Sequence, residues 1–215
     1  MGEAWITLSH VSKAYKKQEV IRDLSVLFEK GKRYGIMGYN GSGKSVLLKL
    51  ILGFAAADTG EIRIGEQILG KDMDFIPRAG VVINAPEFMN GLSGRDNLRF
   101  LAEIRGEIGE GEIDEIMKTM GLFEARKKRV GQYSMGMRQR LRLAQAIMEQ
   151  PDILILDEPM NALDKEGIAL VKKILNEYMN EDRILIFTSH NKEDFQDLAD
   201  VCYEMDGGRL TAVEP

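Results

Sequence analysis

Tyr34-Gly35-Ile36-Met37-Gly38-Tyr39-Asn40-Gly41-Ser42-Gly43-Lys44-Ser45-Val46-Leu47-Leu48 is the stretch from which the chain reads outward in both directions. Residues 34–37 form a short apolar strand that runs directly into a glycine-rich turn. Residues 45–52 follow as a helix, with Leu47, Leu48, Ile51 and Leu52 at helical spacing. Gly38 to Ser45 fits G-x-x-x-x-G-K-[ST]. Gly38, Gly41 and Gly43 let the backbone wrap tightly, so that successive N–H groups converge on phosphate oxygens. The helix beginning near Lys44 adds its N-terminal dipole. Lys44 places a positive charge at β- and γ-phosphates, and the Ser45 hydroxyl can ligate Mg²⁺. A turn that merely precedes a lysine is the bland alternative, and the strand–loop–helix setting argues against it.

Downstream, Ile153-Leu154-Ile155-Leu156-Asp157-Glu158 is an apolar strand ending in two carboxylates. In an open parallel sheet, ligands sit at the carboxyl ends of strands, the edge that also presents the phosphate loop. Asp157 is expected to hold Mg²⁺, directly or through water, and Glu158 to orient the water attacking the γ-phosphate. Two solvated carboxylates at a strand end are common by themselves; beside a phosphate loop they point to hydrolysis.

Around these motifs the periodicity changes twice. The first third reads as strands: Ile6, Leu8 and His10 alternate with Trp5, Thr7 and Ser9, Leu24, Val26 and Phe28 share a face, and 61–64 is strand-like. From about 86 to 150 it is mostly helical, with Leu98, Leu101 and Ala102 on one face. Ile113, Ile116, Met117 and Met120 share another, and Leu141, Ala144 and Met148 a third. After Pro151 strands apolar on both faces, 153–156 and 183–187, alternate with a helix over 167–178; a helix over 195–199 and a strand over 201–204 close the pattern. Such alternation indicates a parallel sheet covered by helices. The expected fold is α/β, a P-loop NTPase core with a parallel sheet. It carries an antiparallel β subdomain at the N-terminal side and an inserted α-helical subdomain, with the core in 1–85 and 151–215 and the insertion in about 86–150.

The 215 residues are 44% hydrophobic and 29% charged, as expected for a globular domain with a real core. A formal net charge of −5 lowers the case for nucleic acid, and none is expected as a partner. The basic run 126–129 and Arg138, Arg140 and Arg142 read as a solvated helical face. Cys202 is the single cysteine, which suits a reducing compartment. No secretory segment is expected at the start, and Met1-Gly2 lacks the Ser or Thr of a myristoylation signal, since Ile6 stands there. The most apolar stretch, 46–57, is interrupted by Lys49 and falls short of the roughly 20 residues of a membrane span. The chain is expected not to cross a bilayer itself.

Tyr133-Ser134-Met135-Gly136-Met137-Arg138-Gln139-Arg140 resembles the signature motif of ABC-type ATPases. The motif order supports the resemblance: phosphate loop, helical lobe, signature, acidic strand. Asn161-Ala162-Leu163-Asp164 looks like the family's D-loop, His190 after Thr188-Ser189 like its switch histidine, and Tyr15 like the aromatic that stacks on adenine. The resemblance implies ATP and Mg²⁺ as ligands, with Tyr15, residues 38–46 (Tyr39, Asn40, Ser42 and Val46 included), Ser134, Gly136 and Met137 around the nucleotide. Ser45 and Asp157 would hold the metal, and Glu158, His190 and Lys44 would act in hydrolysis. It also implies a head-to-tail dimer in which Ser134 and Gly136 meet the ATP of the second nucleotide-binding subunit. His10 has no such setting and reads as structural. Four positions depart from the family. Asn84 stands where glutamine usually contacts Mg²⁺ and water and loses a methylene of reach; Met137 replaces glutamine; Tyr39 and Val46 replace the commoner Pro and Thr.

The Met-containing signature followed by Arg138-Gln139-Arg140 is similar to ATP-binding subunits of bacterial bacitracin, lantibiotic and multidrug exporters. The implied function is the ATPase subunit of a bacterial ABC transporter, cytoplasmic and peripheral on the inner face of the membrane, working with integral membrane permease subunits. A soluble ABC ATPase in repair, translation or cofactor assembly is the alternative, although the chain has no room for the extra modules such proteins carry.

Overall fold

A computed structural model describes residues 4–84 and 87–214. In chain order it holds β1 (Ala4–Tyr15), β2 (Gln18–Glu29), β3 (Arg33–Met37), α1 (Lys44–Leu52), β4 (Thr59–Ile64), β5 (Gln67–Ile68) and β6 (Ala79–Val82). There follow α2 (Gly94–Arg105), α3 (Glu110–Thr119), α4 (Met135–Ile147), β7 (Ile153–Leu156), α5 (Lys165–Tyr178), β8 (Ile184–Ser189), β9 (Val201–Asp206) and β10 (Arg209–Val213). The strands make two sheets. One is antiparallel, in the order β2-β1-β4-β5; the other runs β10-β9-β3-β8-β7-β6, parallel except for β10.

The six-stranded sheet divides the core by simple alternation. Side chains on a strand point to opposite faces with period two. Accordingly Ile153, Ile155, Ile184 and Ile186 join α1 and the antiparallel sheet in one apolar cluster, while Leu154, Leu156, Leu185 and Phe187 join α2 to α5 in the other. Every residue of β7 and β8 is buried, which explains the unbroken apolar runs 153–156 and 184–187. Gly35 in β3 is forced by packing, because a Cβ there would meet Phe195 Cδ1 at 2.2 Å.

The helical stretch lies between β6 and β7 in the chain, and its three stripes are buried as their spacing predicts, apart from the half-buried Leu101. Its boundary at 85/86 falls outside the described residues, as does Met1-Gly2. Three expectations need correction. Residues 195–199 are not a helix: a 3₁₀ turn spans Lys192–Asp194 and irregular turn follows, where the buried Phe195 and Leu198 anchor a short connection. His10 does not continue the Ile6–Leu8 face: at φ 53° it forms an irregularity in β1, Val11 turns inward in its place, and the ring stays exposed beside Asp23. Arg138, Arg140 and Arg142 are not a solvated face. Arg140 donates to the Met120 carbonyl at 2.9 Å, and Arg142 is half-buried against Gln139. The strand β10, whose exposed positions carry no clear alternation, was not legible at all. Among the described residues no helix is long and apolar enough to cross a membrane.

Candidate nucleotide site

Strand register assembles the site. In the parallel sheet β8 lies between β3 and β7, with Met37 opposite Ser189 and Leu156 opposite Phe187. The carboxyl ends of all three strands therefore emerge together, carrying residues 38–43, Asp157-Glu158 and His190 to one edge. Gly43 caps α1 with φ 113° and an added Cβ would sit 2.9 Å from both Met205 Cε and the Val20 carbonyl, so only glycine fits between loop and hairpin. Leu47, Leu48, Leu50, Ile51 and Leu52 are buried, anchoring α1 with about 2 kcal/mol for each side chain taken from water. The helix start, and the amides that face an anion, are thereby fixed.

Val20, Asn40, Gly41, Gly43, Lys44, Ser45, Val46, Asp157 and Glu158 line a cleft of about 280 Å³. Lys44 is 6% exposed, and its Nζ donates to the carbonyls of Gly38 at 2.6 Å and Tyr39 at 3.2 Å. Those bonds curl the loop around the ammonium group, which lies 4.0 Å from Glu158 Oε1. The Ser45 hydroxyl donates to Asp157 Oδ2 at 2.6 Å, and the Thr188 hydroxyl to Asp157 Oδ1 at 2.7 Å. The same Thr188 oxygen accepts the Glu158 N–H at 2.9 Å. His190 Nδ1 lies 2.9 Å from Glu158 Oε2, while the ring is 58% exposed toward solvent.

The donor set suits a hard cation that keeps most of its ligands elsewhere. Ser45 and Asp157 place a hydroxyl and a carboxylate side by side, and among the described residues no group of three or more His, Cys, Asp or Glu could hold a metal. Mg²⁺ bound through one or two protein oxygens, phosphates and water needs no more than this.

Other expected residues do not enter this cleft within one chain. Tyr15 ends β1, is 46% exposed and has Lys13 Nζ 5.4 Å from its ring centre; the hairpin it begins contributes Val20 instead. Tyr39 is largely exposed on the loop. Asn84, beyond β6, is exposed with φ 53°, a backbone that asparagine tolerates better than glutamine. Ser134 caps α4, its oxygen accepting the Met137 N–H at 3.1 Å. A Cβ on Gly136 would sit 3.1 Å from the Ala162 carbonyl, so signature and D-loop touch; Asp164 in turn caps α5 through the Gly167 N–H at 2.8 Å.

Two residues with a part in this geometry had been given none. Thr188 is the first polar residue after Ile184-Leu185-Ile186-Phe187, and a buried hydroxyl ending an apolar strand is the signal that could have found it. Gln139 occupies a buried position with Leu143 and Ala146 at spacings of four and seven, a polar side chain in an apolar stripe.

A glycine cradle at a helix start, an acidic strand end and a polar third strand define the class: an α/β nucleotide-binding protein of the P-loop type. The family described as ABC transporter matches residues 21–161, and the chain belongs to that family, whose ATP-binding domains are ATPases. It is similar to the uncharacterized ABC transporter ATP-binding protein YybJ of Bacillus subtilis (strain 168), 38% identical over 97% of this chain and 96% of the relative. It is also similar to the bacitracin transport ATP-binding protein BcrA of Enterococcus faecalis, 34% identical over 95% of this chain and 67% of that protein. The fold matches a solved ATP-binding subunit of an ABC transporter with a TM-score of 0.83 at 22% identity, covering 97% of this chain and 90% of the other.

Proposed function

We propose that the chain hydrolyses Mg²⁺-ATP and couples hydrolysis to export by integral membrane permease subunits, from the cytoplasmic face of the membrane. The observation that carries this reading is the continuous bonding from Ser45 through Asp157 and Thr188 to Glu158 and His190, closed on the other side by Lys44. In it, residues 38–46 cradle the phosphates with backbone N–H groups and Lys44 compensates their charge. Ser45 and Asp157 would hold Mg²⁺, which when bound would supply neutralisation of the phosphate charge. Glu158 orients the attacking water, His190 keeps the carboxylate pointed at it, and Tyr15 stacks on the base. Ser134, Gly136 and Met137, exposed or half-buried and remote from the cleft of their own chain, complete the site of a second nucleotide-binding subunit. Residues 86–150 act as a helical subdomain on a core formed by 1–85 and 151–215, and the region around 84–100 passes closure to the permease. The name of the BcrA relative, a bacitracin transport ATP-binding protein, supports a peptide-antibiotic transporter as the type of system.

Glu158→Gln tests the reading. It keeps the shape but removes the charge that holds the water, so ATP turnover is expected to fall by about 10²-fold or more while binding persists. Light scattering should then show the protein doubling in mass with ATP. Turnover equal to wild type would sink the assigned role.

A further inference from the structure

The catalytic carboxylate sits on an unusual backbone. Glu158 has φ 52°, a left-handed conformation that costs a non-glycine residue strain unless its surroundings hold it. Its N–H is held by the Thr188 hydroxyl at 2.9 Å. On the carbonyl side, the Asn161 N–H donates to the Glu158 oxygen at 3.2 Å. A third grip comes from a different element. Gln139, 5% exposed and just over one turn into α4, donates from Nε2 to the carbonyls of Pro159 at 3.0 Å and Glu158 at 3.3 Å. Its Oε1 accepts from Arg142 Nη1 at 3.1 Å. The amide can take only this orientation: two carbonyls demand donors on one side, and a guanidinium demands an acceptor on the other.

The helix that carries Gln139 begins at Ser134, whose hydroxyl caps it. Ser134 and Gln139 are therefore rigidly joined, within a segment whose buried Leu141, Leu143 and Ala144 lock it to the core. We propose that Gln139 is a positioning residue: it clamps the strained turn at Glu158 to the signature helix, so that the carboxylate of one ATP site and the signature that closes the other move as one piece. This rests on the proposed function, and adds to it a physical link running through one chain between two half-sites.

Gln139→Met tests the clamp, since it fills similar volume without a donor; Gln139→Glu is the second variant, retaining shape and an acceptor for Arg142 while turning a carboxylate on the two carbonyls. With the purified full chain, Q139M should lose about tenfold in kcat and Q139E more, with KM and the affinity for a fluorescent ATP analogue within about twofold of wild type. In an E158Q background, Q139M should cause no further loss in the residual single-turnover rate, because the group it positions has already been disabled. The inference is overturned if Q139M turns over like wild type. It is equally overturned if kcat, nucleotide affinity and the thermal midpoint fall together in both variants, or if the losses of Q139M and E158Q multiply. Should Q139M fail to fold, Q139E decides by the same criteria, and failure of both to bind nucleotide assigns Gln139 a purely structural role. Absence of ATP turnover in the wild type would instead count against the proposed function and leave the clamp geometry unchallenged.

Discussion

At Gly43 two constraints meet in one residue. The helix can begin only if the chain turns at φ 113°, and the hairpin carbonyl of Val20 and the Met205 side chain leave no volume for a methyl group. We expect Gly43→Ala to lower stability by about 1–3 kcal/mol through backbone strain and overlap. ATP affinity should fall at least tenfold, roughly, because the same shift disperses the converging N–H groups. Titration with a fluorescent ATP analogue and thermal unfolding measure both; wild-type affinity would contradict the packing account. Thr188 makes a related point. Its hydroxyl donates to Asp157 and accepts from the Glu158 N–H, a use that register alone creates by setting residue 188 beside the strand end at 157.

Among the elements, α4 joins capping to chemistry. Its first turn has its N–H group at Met137 satisfied by Ser134, and the opposite end of the helix packs under β6 and β7. Ser134→Ala should cost about 1 kcal/mol of stability by leaving that donor without a cap. Ser134→Asp keeps the cap and should stay within a few tenths of wild type, roughly. Under the proposed function it nevertheless places a negative charge against a phosphate, and turnover should drop by about 10²-fold. Chemical denaturation beside ATPase assays separates these effects. An S134D protein that hydrolyses normally would show that Ser134 is a cap and nothing more. The helices were legible because stripes such as Ile113, Ile116, Met117 and Met120 repeat at the period of the helix. The turn at 192–198 was misread because Phe195 and Leu198 also fit helical spacing, although too few residues remain to build a helix before β9.

Across the whole molecule, Arg33 at the start of β3 closes a contact spanning most of the chain. It pairs with Asp200 before β9, Nε to Oδ2 at 3.0 Å and Nη2 to Oδ1 at 2.5 Å, and also donates to Asn176 of α5. The hydrogen-bonded guanidinium holds the Asp200 carboxyl below its ordinary value of 3.8. A carboxyl with a depressed folded-state pKa stabilises the fold above its unfolded value and loses that contribution as pH falls through the folded one. Asp200→Asn should therefore lower unfolding free energy by about 1 kcal/mol at neutral pH, a modest figure because solvent screens a pair one-third exposed. The difference from wild type should close as pH falls below 3.8, which urea denaturation across acidic pH can follow. A gap independent of pH would assign the effect to packing. Over the same long range the division between sequence and structure becomes plain. Local pattern determined the phosphate loop, the apolar strands and the helical stripes, since spacing, glycine turns and two-sided burial are properties of short segments. It also determined the residues Lys44, Ser45, Asp157 and Glu158 as candidates, whereas His190 entered only through the family resemblance. Only the tertiary structure decided that Thr188 and Gln139 hold the turn at Glu158, that His10 faces solvent, and that Asn84 occupies a left-handed backbone. Those outcomes depend on strand register, a bulge and contacts across 19 to 31 residues, and no local periodicity encodes which distant partner a polar side chain will meet.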